Sequence, residues 1–150
     1  MKLNVKVEDI PFGTSIQEVA VPEVLKTKVP TGLTYFDDAL GGKGFTPSMV
    51  TLFIGTPGAG KTTMMLTLAN SIARSGNVAL FNTAEESLHQ IKMTTDRLRL
   101  RSSFLVGAET HVPTLLAGCD KIRAANPGKH FFLIVDSLQT LDDGYFNSGR

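Results

Sequence analysis

The sequence predicts an α/β fold, a parallel sheet with helices on both faces, and three observations carry that expectation. Short apolar runs alternate along the chain with stretches of helical periodicity. One run leads into Gly55-Thr56-Pro57-Gly58-Ala59-Gly60-Lys61-Thr62-Thr63, which fits G-x-x-x-x-G-K-[ST]. The later runs are followed closely by acidic residues: Glu85 and Glu86, then Glu109, then Asp136. Strands apolar on both faces belong to parallel sheets covered on both sides by their crossover helices. Ligands of such sheets bind outside the carboxyl ends of the strands. The polar groups gathered at that edge therefore mark one site.

Taken in order, residues 1–30 read as an extended arm. Leu3-Asn4-Val5-Lys6-Val7 alternates like a short strand, and Pro11, Pro22 and Pro30 interrupt anything longer. Residues 31–150 are assigned to one α/β domain. A short helix is expected over residues 35–40, with Thr34 as its N-cap and Gly41-Gly42-Lys43-Gly44 ending it. Residues 48–54 read as a buried strand running directly into the glycine-rich loop. Beyond the loop, Met65, Leu68, Ala69 and Ile72 fall at helical spacing up to Gly76. Residues 77–83 form the next strand. Ser87 and Gln90 have the spacing of a capping box, opening a helix with Leu88, Ile91 and Leu98 on one face. A third strand is expected over residues 103–106. Pro113 suits the first turn of a helix whose inner face is Leu115, Leu116, Cys119 and Ile122. Asn126-Pro127-Gly128 stops it, and residues 130–135 form a fourth strand that delivers Asp136.

Composition sets the class. With 42% apolar and 19% charged residues, the chain can build a core and is not of the disordered kind. A net charge of +1 selects no partner by sign. The one cysteine, Cys119, has no internal disulfide partner, and no Cys/His cluster has zinc spacing. No apolar run approaches the ~18 residues that span a bilayer. Residues 1–6 lack the apolar core of a signal peptide. A soluble cytoplasmic protein without membrane contact is the expectation.

The loop residues Gly55 to Thr63 have the chemistry of a nucleotide phosphate site. Glycines let backbone N–H groups meet phosphate oxygens with no Cβ in the way. Lys61 supplies a point charge near the terminal phosphates, and the Thr62 hydroxyl can ligate Mg²⁺. The helix that follows turns its positive end to the same anion. ATP and Mg²⁺ are the expected ligands. Asp136, after an apolar run, has the form of the acidic residue that holds Mg²⁺ opposite such a loop; its alternative role is a helix N-cap. Glu85 or Glu86 could activate the attacking water, with Glu85 preferred. The alternative is that both favour the dipole of the next helix. Glu109 is a weaker candidate. Arg97, Arg99 and Arg101 read as a solvated helix end, and His89, His111 and His130 show no ligand spacing.

With these residues and Asp136-Ser137-Leu138-Gln139-Thr140 in view, the chain resembles the RecA-type P-loop ATPases, in particular the bacterial RadA (Sms) branch of DNA repair proteins. The matching stretches are Thr31-Gly32 through Leu40-Gly41-Gly42, the phosphate loop, Ala84-Glu85-Glu86-Ser87 with Gln90-Ile91-Lys92, Ala108-Glu109-Thr110, and Val135-Asp136-Ser137 with Gln139-Thr140. They cover roughly residues 30–143. The resemblance implies a RecA-like sheet, ATP hydrolysis with the glutamate matching Glu85 polarising the water, ring-shaped homo-oligomers, and action on single-stranded or branched DNA in recombination and repair. There are departures. The family's N-terminal four-cysteine zinc finger has no counterpart, and its protease-like C-terminal domain is not present. The family's core has further strands after the acidic one, one of them between it and the phosphate-loop strand. This chain runs only fourteen residues past Asp136, so an incomplete core, without DNA-binding loops or the arginine or lysine acting across subunits, is expected. Two rivals share the features: a ring helicase or clock-type ATPase of the same superfamily, and a nucleotide-gated interaction module with little turnover.

Overall fold

The computed structural model describes residues 9–144; the strand expected at residues 3–7 lies outside them. The chain carries α1 (Glu23–Lys26), α2 (Thr34–Ala39), α3 (Lys61–Arg74), α4 (Leu88–Arg97) and α5 (Val112–Ala125). Three strands, β1 (Val78–Thr83), β2 (Leu105–Gly107) and β3 (Phe131–Asp136), form a sheet in the order β2-β1-β3. Both pairings are parallel. Each connection between these strands contains a helix, as parallel neighbours require.

The strands are apolar throughout because they feed two cores. Ala79 and Phe81 of β1, with Phe132 and Ile134 of β3, pack against Met65, Leu66, Leu68, Ala69 and Ile72 of α3 and against Ile91 of α4. Leu80, offset by one residue, joins Phe131, Leu133 and Val135 on the other face, beneath Leu115 and Cys119 of α5. The split follows from side chains alternating across a strand. Burial pushes the Cys119 thiol above its ordinary pKa, and the Asp120 charge adds to this, so Cys119 is a packing group.

The arm is less uniform than expected. A single 3₁₀ turn (Ile16–Glu18) and α1 interrupt it, and its end joins the core: Val29 is buried and exchanges two 2.8 Å backbone hydrogen bonds with Phe45. Thr34 is the first residue of α2 rather than its cap; the cap position is Leu33, which offers no side-chain acceptor. Order comes instead from Asp37. Its Oδ1 accepts from the Thr31 amide at 2.9 Å and the Thr31 hydroxyl at 2.7 Å, with both residues buried. Gly32 then lies so close to α3 that a Cβ there would stand 2.7 Å from Ser71 Oγ.

One expected element is absent. Residues 49–54 form no strand, and Val50, Leu52 and Ile54 are largely exposed. Phe53 holds the run to the core by stacking on Phe36, with ring centroids 5.2 Å apart. The reason is a missing neighbour. A strand exists through ladder hydrogen bonds, and among the described residues nothing pairs with the outer edge of β3. A cavity of about 360 Å³ lies beside this run, bounded by residues 52–55, Lys61, Leu138 and Gln139. β2 is also shifted from the expected residues 103–106, because its register is set by pairing Leu80 with Leu105 and Asn82 with Gly107.

An open sheet edge beside exposed apolar side chains invites association. The chain is therefore expected to self-associate at micromolar concentration, and a Val50→Lys/Ile54→Lys double variant to associate less. Exposed positions of this kind shift stability by only about ±0.5 kcal/mol. Light scattering and urea unfolding on both proteins check this; equal apparent masses would show that the exposed run plays no part.

Candidate active site

The site begins where α3 begins. Gly60 is the helix N-cap in the left-handed region (φ 85°), and Gly58 before it is also left-handed (φ 78°), a conformation that disfavours residues with a Cβ. The loop thus curls ahead of the free N–H groups of the first helical turn, the arrangement that suits an anion. All loop residues from Gly55 to Lys61 are exposed. The Lys61 ammonium folds back and donates to the Gly55 carbonyl at 2.6 Å. The absence of a Cβ on Gly55 makes room for that stem, since one would stand 3.2 Å from Lys61 Cδ.

The Thr62 hydroxyl donates to Asp136 Oδ2 at 2.7 Å, across 74 positions of sequence. Asp136 ends β3, is half-buried, and pairs in register with Thr83. Its carbonyl accepts from the Ala84 amide at 3.0 Å. Asp136 caps no helix side-chain-wise; the short 3₁₀ turn that follows is Leu138–Thr140, flanked by Ser137. The next residue reaches the other way. The Ser137 hydroxyl donates to Glu85 Oε1 at 2.6 Å. Two consecutive residues at the end of β3 thereby join the helix start to the acidic corner after β1.

That corner has its own construction. The Thr83 hydroxyl donates to the Glu86 carbonyl at 2.9 Å and accepts from the Glu86 amide at 3.2 Å. The expected capping box is present: the Gln90 amide donates to Ser87 Oγ at 3.2 Å, and the Ser87 amide to Gln90 Oε1 at 2.9 Å. Glu86 is thus anchored through its backbone, and it is the Glu85 carboxylate that meets β3. Glu109 is used locally: its Oε1 accepts from the Thr110 and His111 amides at 3.0 and 2.9 Å. Its backbone is clipped to the buried Asn82 side chain, whose Nδ2 donates to the Glu109 carbonyl and whose Oδ1 accepts from its amide.

Sequence reasoning singled out Lys61, Thr62, Glu85 and Asp136, and the structure brings the last three together through Ser137. The roles of Ser137, Thr83 and Asn82 were not read from sequence. A polar residue within or just after an apolar strand was the available signal. The strand expected to lead into the Gly55–Thr63 loop is not formed.

The family of KaiC-type ATPases matches residues 29–101. The chain is 39% identical to the DNA repair protein RadA of Mycobacterium tuberculosis (strain H37Rv) over 115 residues, covering 75% of this chain and 22% of that protein. It is 35% identical to the DNA repair protein RadA of Mycolicibacterium smegmatis over 132 residues, covering 87% and 27%. For that of Streptococcus pneumoniae the identity is 35% over 127 residues, covering 84% and 28%. These matches make the chain similar to the RecA-type P-loop ATPases. Within them its similarity runs to the RadA branch, and it spans about a quarter of the length of the curated relatives it matches. Among the described residues no helix is long and apolar enough to cross a membrane.

The capping box sets the position of the acidic corner, so Ser87→Ala is expected to destabilise the chain by about 1 kcal/mol, the usual loss for an N-cap serine. Chemical unfolding of the two proteins measures it. A change near zero would mean that packing of Ile91 alone holds the start of α4.

Proposed function

We propose that this chain binds ATP with Mg²⁺ at the Gly55–Thr63 loop and hydrolyses it, as the ATPase part of a RadA-like protein working on DNA in recombination and repair. The observation that supports this most is the pair of adjacent contacts, Asp136 to Thr62 and Ser137 to Glu85, made by consecutive residues with the groups proposed here for metal and water. Residues 31–150 would carry this activity and residues 1–30 would serve as the arm leading into it.

The donor set fits Mg²⁺. Thr62 and Asp136 offer a hydroxyl and a carboxylate, hard oxygens that suit this ion. Among the described residues no group of three His, Cys, Asp or Glu could form an all-protein cage. Mg²⁺ ordinarily takes one or two protein oxygens and completes its shell from phosphates and water. When bound, it neutralises charge on the β- and γ-phosphates. The chain's own groups do the rest. The loop amides and the first turn of α3 hold phosphate oxygens, and Lys61 exchanges the Gly55 carbonyl for the triphosphate. Glu85 accepts the proton of the attacking water, with Glu86 the alternative base. Single-stranded or branched DNA is the proposed macromolecular partner, a ring of copies the proposed assembly, and the cytoplasm the proposed location. The name of the relatives, DNA repair protein, supports the setting.

A second reading, a nucleotide-gated interaction module, is favoured by one feature. Residues 49–54 stand outside the sheet, so the loop is braced by α3 but not by a paired strand.

Lys61→Ala is expected to weaken Mg²⁺-ATP binding about ten- to a hundredfold, since hydrogen bonds to charged groups are worth about 1.5–3 kcal/mol. Calorimetric titration decides it, and equal affinities would remove the loop from the site. Glu85→Gln is expected to leave affinity near wild type and lower turnover by about 10²–10⁴, the range for a positioned base. Phosphate release, with and without single-stranded DNA, measures that. A larger loss in Glu86→Gln would transfer the role to Glu86, and ATP binding without turnover in the wild type would favour the interaction module.

A further inference from the structure

We infer that Ser137 is a positioning residue that aims the Glu85 carboxylate, an inference resting on the reading of Glu85 as the base. The contact is a hydrogen bond of 2.6 Å from a half-buried hydroxyl to an exposed carboxylate 52 residues away. That is the short range of a charge-assisted O–H···O⁻ bond. It continues the β1–β3 ladder by side chains. Thr83 is paired with Asp136, the Ala84 amide donates to the Asp136 carbonyl, and the following link is Ser137 to Glu85.

Ser137 is itself held on both sides. Asp136 before it is bonded to Thr62, and its own carbonyl accepts from the Thr140 hydroxyl at 2.7 Å. An exposed glutamate otherwise samples many rotamers, and ordering such a side chain costs conformational entropy. Binding one carboxylate oxygen to Ser137 restricts that freedom and leaves Oε2 without this bond, open to a water. The arrangement also separates two neighbouring glutamates of equal chemistry. Glu86 is tied to Thr83 by its backbone amide and carbonyl, so β3 orients only Glu85.

The test uses the whole chain with Mg²⁺-ATP and the variants Ser137→Ala, Ser137→Thr, Glu85→Gln and Ser137→Ala/Glu85→Gln. Ser137→Ala is expected to lower kcat about ten- to a hundredfold, the scale of misplacing a catalytic group, with KM and the urea unfolding midpoint unchanged. Ser137→Thr keeps the hydroxyl and should keep most of the turnover. Adding Ser137→Ala to Glu85→Gln should cost nothing more. In parallel, ¹³C-carboxyl-labelled glutamate follows Glu85 directly: its resonance, assigned by its loss in Glu85→Gln, should move in Ser137→Ala and stay in Ser137→Thr. Wild-type turnover in Ser137→Ala beside a large loss in Glu85→Gln overturns the inference, as does a further loss in the double variant. Wild-type turnover in Glu85→Gln, or none in the parent chain, instead counts against Glu85 as the base. The carboxyl resonance then decides the positioning alone, and an unmoved signal in Ser137→Ala overturns it.

Discussion

The parallel ladder between β1 and β3, from Val78–Phe131 to Thr83–Asp136, is the constraint on which the site depends. Its last rung puts Asp136 level with Thr83. The groups two residues past Thr83 and one past Asp136 then fall within a hydrogen bond of each other. Slip that pairing by one residue and every side chain of β3 turns to the other face. Ile134 would leave the α3 core, and Asp136 would leave Thr62. The apolar packing that sets the register and the polar contacts of the site are therefore not separate. Burying Phe81, Leu66 and Ile72, each almost wholly inaccessible, is what fixes where Asp136 lies.

The polar groups inside this sheet are few and nearly all satisfied. Asn82 and Thr83 are fully or almost fully buried, yet Asn82 exchanges two hydrogen bonds with the Glu109 backbone and Thr83 exchanges two with that of Glu86. A buried polar side chain is tolerated when its partners are in place and is costly otherwise. Here the partners are the loops that leave β2 and β1, so satisfying the core also fixes the two acidic loops. Ser71 Oγ is the exception: it is buried beside Gly32 with no hydrogen-bond partner among the described residues. The close approach of the Thr31-Gly32 stretch to α3 explains its enclosure.

The sheet is unequal at its two sides. β1, in the centre, is buried along almost its whole length, whereas Leu105 and Val106 of the β2 edge are about 40% and 46% exposed. Among the described residues the β3 edge has no outer strand partner either, and residues 49–54 present Val50 and Ile54 to solvent. Two aromatic contacts, Phe36 to Phe53 and Phe45 to Phe132, link that run and the turn before it to the core. The loop that follows is consequently anchored by the helix it starts and by aromatic packing, not by a ladder.

Local chemistry was legible in the amino-acid order wherever neighbours in sequence decide it. The start of α3 at Lys61, the Ser87–Gln90 capping box, Pro113 in the first turn of α5 and the apolar runs of β1 and β3 all depend on spacing within one element. So did the glycine-rich loop of residues 55–60, whose glycines serve left-handed and close-approach positions. What lies between elements was not legible. An apolar run such as residues 48–54 has the propensity of a strand, but a ladder needs a partner, and only the tertiary arrangement shows that none of the described residues supplies one. The same holds for Asp37 on Thr31, Asn82 on the Glu109 backbone and Ser137 on Glu85. By itself the sequence determined which side chains could bind phosphate, metal and water; the three-dimensional register of β1 and β3 decided which of them meet, because a hydrogen bond forms within about 3 Å in space, whatever the distance along the chain.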